Sequence, residues 1–391
     1  MENEKNCCKK KKVVAFDLVS AQPSVDARFH GGGEYIKAVF EALVNKHHLI
    51  DAEIIALYSE KRFIDGWLKK LIEDKSVKSV NLNSVHEIVK TLEKEGIHYD
   101  VLYTGGDRSI SDSLPQGSRL ICTIHDMRDF EEPVDIYSFL YYGRIDQKMK
   151  QIGKLMFRDY LKKRNLKKYK NFVAKSDQIF CDSEHARWVL TTYIPESSNK
   201  VLGAFYAPSK HFENKVTENV TGDSGYILLV SSNRWIKNVY RAVKAIDHLY
   251  DEHLLYVRSV VVGGMPKGIR RRIKHMEMFD VLPYVEADAL ENLYASCGLF
   301  VYPTLNEGFG MPPLEAMRYG KTCVISALCS LTELYSECAY LVNPYSIEEM
   351  ASHILMALKK PIEKDIIEKT YLKIVDRQNK DLDKMVDIIV G

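Results

Sequence analysis

Glu307 and Glu315 stand eight positions apart in Pro303-Thr-Leu-Asn-Glu-Gly-Phe-Gly-Met-Pro-Pro-Leu-Glu-Ala-Met-Arg-Tyr-Gly320, on either side of a glycine-rich turn. A carboxylate accepts hydrogen bonds from two adjacent hydroxyls, so one of the pair suits a ribose diol and the other the hydroxyls of a second sugar. Gly308 and Gly310 allow a ligand close to the backbone, and Pro312 and Pro313 suit the first turn of a helix. The amides at that start would attract phosphate oxygens or a polar sugar edge, Glu315 would fall in the first turn, and Gly320 would end the helix. The bland alternative is a loop carboxylate and a Glu favoured by the helix dipole. Arg234, Lys237 and Asn238 follow another apolar run. An Arg fork grips two phosphate oxygens and a Lys adds a point charge, which would stabilise a leaving diphosphate. Taken alone, two such cations are equally a solvated surface.

Positioning these groups requires strands that end where they begin. Short runs rich in Val, Ile, Leu, Phe and Tyr alternate with amphipathic stretches, the pattern of buried parallel strands between helices, so the fold class is α/β. The first half offers strands at Val13–Val19, Glu53–Tyr58, Asp100–Tyr103, Arg119–His125 and Gln178–Asp182, one doubly wound sheet. The second offers Tyr226–Ser231, Val257–Gly263, Val281–Val285, Leu299–Tyr302, Thr322–Ile325 and Tyr340–Val342. Helix starts are expected at Asp288, with Glu291 three residues on, and at Ser346, with Glu349. Polar, aperiodic residues 208–224 read as a linker between domains 1–207 and 225–375, and 376–391 read as a last helix. In the first domain Gly31-Gly32-Gly33 opens an amphipathic helix, without the G-x-G-x-x-G of a dinucleotide site. His125-Asp126 ends one strand and Ser183-Glu184-His185 follows another, with Asp126 placed to orient His125 or cap a turn.

The run Asn-Glu307-Gly-Phe-Gly-Met-Pro-Pro-Leu-Glu315-Ala resembles the signature of retaining glycosyltransferases of family four, and Arg234-x2-Lys237-Asn238 resembles a second motif of that family. The resemblance implies the GT-B fold, two Rossmann-like domains facing across a cleft. It implies transfer of a hexosyl unit, with retention, from a nucleoside-diphosphate sugar to a glycan or lipid-linked saccharide in surface polysaccharide synthesis. Glu307 would contact the donor sugar and Glu315 the ribose. The backbone of Gly308, Phe309, Gly310 and Met311 would meet the sugar, and backbone near Tyr284 and Val285 the base. Arg234 and Lys237 would hold the diphosphate. Gly32 and Gly33 would lie close to it, and His125 near the donor sugar. The last helix of such proteins often crosses back to the first domain. Rival readings are a non-catalytic sugar-nucleotide or glycan-binding module and an epimerase on the same fold.

Bulk composition limits other classes. The chain has 391 residues and a formal charge of +2, which does not by itself imply a nucleic-acid binder. One built on the basic segment below would leave the Glu307 loop unexplained, so no nucleic acid is expected. Its eight cysteines include no C-x-x-C pair, and no His/Cys cluster has metal-ligand spacing, so neither metal nor cofactor is expected. Cysteines within apolar runs, no long apolar run and no secretory leader point to the cytoplasm, with peripheral contact at the inner membrane surface an option. That option comes from residues 141–170, where eleven Lys or Arg residues meet only Asp146 and Asp159. Ile145, Met149, Ile152, Met156 and Tyr160 recur there at helical spacing. Either this helix rests on an anionic membrane or a lipid-linked diphosphate, or its apolar face is core and its lysines are in water. Lysines 9–12 fit a membrane contact or a disordered tail.

Overall fold

The computed structural model describes residues 11–23, 31–50, 52–75, 77–106, 108, 110, 114–208 and 225–391. Residues 209–224 of the expected linker and Lys9 and Lys10 lie outside them. The first sheet comprises β1 (Lys12–Asp17), β2 (Ala52–Tyr58), β3 (Lys78–Asn81), β4 (Val101–Thr104), β5 (Arg119–Ile124), β6 (Gln178–Cys181) and β7 (Val201–Ala204). The second comprises β8 (Ile227–Leu229), β9 (Ser259–Val262), β10 (Phe279–Leu282), β11 (Leu299–Tyr302), β12 (Cys323–Ser326) and β13 (Tyr340–Val342). Their orders are β3-β2-β1-β4-β5-β6-β7 and β10-β9-β8-β11-β12-β13. Every pairing is parallel. Buried faces on both sides explain why β4, β11 and β12 are apolar runs without alternation.

Both sheets reverse their order beside the first strand, between β1 and β4 and between β8 and β11. Ligands of open parallel sheets bind beyond the carboxyl ends at such points. Arg234 and Lys237 follow β8 and Glu307 follows β11, so both loops project from the switch point of the second sheet.

Several local expectations need correction. β10 ends at Leu282, which puts Tyr284 and Val285 in the loop after it. The helix expected to start at Asp288 runs Ala287–Ser296 without a side-chain cap, whereas Ser346 does cap its helix by accepting from the Glu349 amide. The helix after the glycine turn is Met311–Met317, with no acid in its first turn; Glu315 lies one turn further in. Gly320, at φ 65°, follows its end. Residues 141–170 are not one helix but the end of a 3-10 stretch, Ile136–Tyr141, followed by helices Ile145–Met156 and Arg158–Lys175. Ile145, Met149, Ile152 and Met156 are exposed, so the face assigned to the core in one reading lies outside it.

The last helix is longer than residues 376–391, running Lys364–Val390. Ile367, Tyr371, Met385, Val386 and Ile389 are all fully buried and join the core that contains Val14, Phe16 and Tyr35. Tyr35 donates its hydroxyl to Met385 Sδ at 3.1 Å, and the Tyr206 amide donates to Asp381 at 3.0 Å. The domains also meet at a buried ion pair, where Arg241 forks onto Asp135 at 2.6 and 3.1 Å.

Candidate active site

The left-handed backbone of Asn238, at φ 58°, turns the loop after β8 back onto the sheet. Its side-chain Nδ2 donates to the carbonyls of Pro303 at 3.0 Å and Pro344 at 2.6 Å, and its Oδ1 accepts from Arg241 at 2.9 Å. Asn238 therefore fixes the loop after β8 against the loop after β11. Lys237 is thereby aimed inward and is not the free surface cation its position suggests. It is 5 % exposed and is ion-paired with Glu307, itself 8 % exposed. Lys237 also donates to the Tyr302 hydroxyl at 2.6 Å, and that hydroxyl donates to Glu307 Oε1 at 2.7 Å. Burial alone would raise the Glu307 carboxyl, but Lys237 and Tyr302 outweigh it and hold the group below its usual range. Glu315 has no such cation, and burial raises it. The two carboxylates thus occupy unlike environments: one is held charged, and the other is pushed toward its protonated form.

Four successive carbonyls of the glycine turn accept hydroxyl bonds. Ser330 reaches Glu307 O at 3.3 Å and Phe309 O at 2.9 Å, Ser183 reaches Gly308 O at 2.6 Å, and Tyr335 reaches Gly310 O at 2.8 Å. In a trans peptide the following N–H points opposite to its carbonyl, so the amides from Gly308 to Met311 face away from these hydroxyls. Gly310, at φ 98°, sets up the helix start. The Phe309 ring packs edge-on against Tyr206 at 5.4 Å, which leaves only its backbone for a ligand.

Arg234 is exposed and lines a cavity of about 310 Å³ with Arg128, Glu132, Tyr141, Tyr142, Asn233, Trp235 and Ile236. Arg128, which the sequence did not single out, comes from the first domain. It donates to Asp126 at 3.0 Å and Asn306 at 3.4 Å, beside Glu307. Asp126 thus serves Arg128, and the partner of His125 is Asp182, with Nδ1 to Oδ2 at 3.3 Å. Burial raises Asp182 to about 6, against the opposing pull of His125. The other ring nitrogen of His125 is buried and has no hydrogen-bond partner among the described residues. A Cβ at Gly32 would press on that ring at 3.1 Å, and one at Gly308 would collide with the His125 carbonyl oxygen. Gly32, His125 and Gly308 therefore meet at one point between the domains. Gly33 lies in the first turn of the helix Gly31–Ile50, while Tyr284 is exposed.

Ser183 caps the helix Glu184–Tyr193, and the Glu184 and His185 amides both donate to Glu333 of the second domain at 3.0 Å. His185 Nε2 lies 2.8 Å from Glu131, and Cys329 and Glu131 together raise the imidazole to about 10. Glu131, His185 and Cys329 are a set of metal-type donors that distant segments bring together and that no sequence spacing could reveal.

Comparison with known proteins agrees with this architecture. Residues 211–373 match the family described as glycosyl transferases group 1. The serotype-specific mannosyltransferase WbdA of Escherichia coli is 26 % identical over 193 residues, 45 % of this chain and 24 % of that protein. The O-antigen chain mannosyltransferase RfbU of Salmonella typhimurium is 25 % identical over 229 residues, 57 % of this chain and 56 % of that one. The matches thus span about a quarter to a half of these relatives. Among solved structures, sucrose-phosphate synthase of Thermosynechococcus elongatus superposes with a TM-score of 0.68 at 13 % identity, over 97 % of this chain and 98 % of that one. Two parallel-sheet domains and the shared architecture give this chain the GT-B fold, and its residues 211–373 match the glycosyl transferases group 1 family.

Proposed function

We propose that the protein is a retaining glycosyltransferase that moves a hexosyl unit, a mannosyl unit by analogy with the named relatives, from a nucleoside-diphosphate sugar to a surface-polysaccharide acceptor. The observation that carries this reading is the Lys237–Glu307–Tyr302 cluster beside the Arg234 cavity and the amide edge of Gly308–Met311. In this scheme the bond from the sugar's C1 to the phosphate oxygen breaks, with its electron pair going to the diphosphate. Arg234, Lys237 and the amides oppose the charge that grows there. The acceptor hydroxyl forms the new C1–O bond on the same face, and its proton passes to the departing phosphate oxygen. Glu307 would hold sugar hydroxyls and Glu315 the ribose diol, with His125 at the sugar from the opposite wall.

The test is thermal denaturation with GDP, UDP, dTDP and ADP on the wild type and on Arg234→Ala, followed by transfer assays with the matching sugar. Because Arg234 is exposed, its loss should change the unliganded stability by no more than about 0.5 kcal/mol. One diphosphate should stabilise the wild type and not the variant. Failure of all four at millimolar concentration would move the non-catalytic module ahead. The scheme uses no metal, so transfer should persist in excess EDTA; its abolition, with rescue by zinc, would instead assign a role to Glu131, His185 and Cys329.

A further inference from the structure

The helix Ile145–Met156 carries Ile145, Met149, Ile152 and Met156 on one face, at 80, 60, 39 and 74 % exposure. Such a stripe is ordinarily what a helix buries. Here the helix rests on the protein through Gln151, its one buried residue, whose amide reaches Ser138 Oγ at 3.4 Å. Phe157 and Tyr160, just beyond it, are exposed as well. Lys148, Lys150 and Lys154 are exposed, and the following helix adds exposed Lys163, Arg164, Lys167 and Lys168. None of these seven cations has an ion-pair partner among the described residues.

Whatever covers this face must offer apolar matter to the stripe and negative charge to its flanks. A second copy of the chain supplies the first and opposes the second, since it would set lysines against lysines with only Asp146 and Asp159 to offset them. A leaflet with anionic headgroups supplies both. We propose that the helix Ile145–Met156 docks the protein on an anionic membrane, with the Ile145, Met149, Ile152 and Met156 side chains among the upper acyl carbons and the lysines at the phosphates. No helix among the described residues is long and apolar enough to cross a membrane, so attachment through this segment is by lying on the surface. Tyr141 and Tyr142, immediately before the helix, line the Arg234 cavity, and the Tyr141 hydroxyl accepts from the Tyr240 amide of the second domain at 2.9 Å. Docking therefore brings the cavity mouth to the headgroup layer. If the transferase reading holds, that is where a lipid-linked acceptor presents its saccharide.

Flotation of the full chain with vesicles, without donor or acceptor, tests the proposal. The wild type should bind vesicles of phosphatidylcholine mixed with phosphatidylglycerol, bind phosphatidylcholine alone far more weakly, and lose affinity as salt rises. The triple variant Ile145→Ser, Met149→Ser, Met156→Ser and the triple variant Lys148→Glu, Lys150→Glu, Lys154→Glu alter only exposed side chains and should melt like the wild type. The lysine variant should weaken vesicle binding by at least about a hundredfold, given roughly a fivefold contribution per basic residue near such a surface. The serine variant should also lose most of its binding, because the apolar area buried in the acyl layer is removed. Equal binding to both vesicle types, no binding to either, or unchanged binding by both variants would overturn the proposal. So would a wild-type dimer that the serine substitutions convert to monomer. Transfer to a soluble saccharide acceptor should survive both variants, which separates a failure of docking from a failure of the transferase reading.

Discussion

Replacing Lys237 with Ala should lower the rate of sugar transfer by about 10²- to 10³-fold, the usual cost of removing one preorganised group from a developing charge. The same substitution strips Glu307 of its cation in a site where Glu307 is 8 % exposed. Breaking a buried pair on one side costs about 3 to 5 kcal/mol, an upper figure here because unopposed burial would push the Glu307 carboxyl up until it takes a proton. Melting temperature should therefore fall in Lys237→Ala and recover substantially in Lys237→Met with Glu307→Gln, where no charge is left unpaired. Transfer should stay low in both. A double variant that recovered stability and activity together would show that Lys237 serves the fold alone. With Glu307 held below its usual range by its partners, the pair's contribution to stability is present above the ordinary carboxylate range and fades as pH falls through the depressed value. An acid-side loss of stability that is absent from the double variant would mark it.

Gly308→Ala should be nearly as damaging to transfer and far gentler to the fold. The added methyl meets the His125 carbonyl oxygen, which is backbone of the other domain and cannot rotate aside. The cheapest relief is for the domains to part, which would also break the bond from Ser183 Oγ to Gly308 O. Misplacement of about 1 Å at a reacting centre costs roughly 10²-fold in rate. We expect a loss of that order, a melting temperature close to the wild type's, and a larger radius of gyration by small-angle scattering. Unchanged transfer would mean that productive geometry does not need this contact.

The sequence made the site's own loops legible because their chemistry is local. Glu307 and Glu315 are bracketed by glycines and prolines that speak for backbone shape, and Arg234, Lys237 and Asn238 sit at the end of an apolar run. The central strands were equally readable, since parallel strands covered on both faces become unbroken Val, Ile and Leu. β3 and β7 escaped because Lys-Ser-Val-Asn and Val-Leu-Gly-Ala sit at the sheet's edges, each with a single buried residue. What no local pattern could supply was pairing across distance. Lys237 reaches Glu307, Asp182 rather than Asp126 reaches His125, Arg241 reaches Asp135, and Arg128 enters the cavity from the opposite domain. The basic segment was ambiguous for the same reason: periodicity shows that a helix has an apolar face, and only packing shows whether anything covers it.

The helix Lys364–Val390 also dictates an order of events on the ribosome. Met385, Val386 and Ile389 belong to the same core as Val14, Phe16 and Tyr35, so a segment made early is finished by one made much later. Until that helix is made, the nascent first domain would show an apolar face with nothing to close it, a state prone to aggregation and to capture by chaperones. The first domain would become resistant to proteases only after this helix had left the exit tunnel.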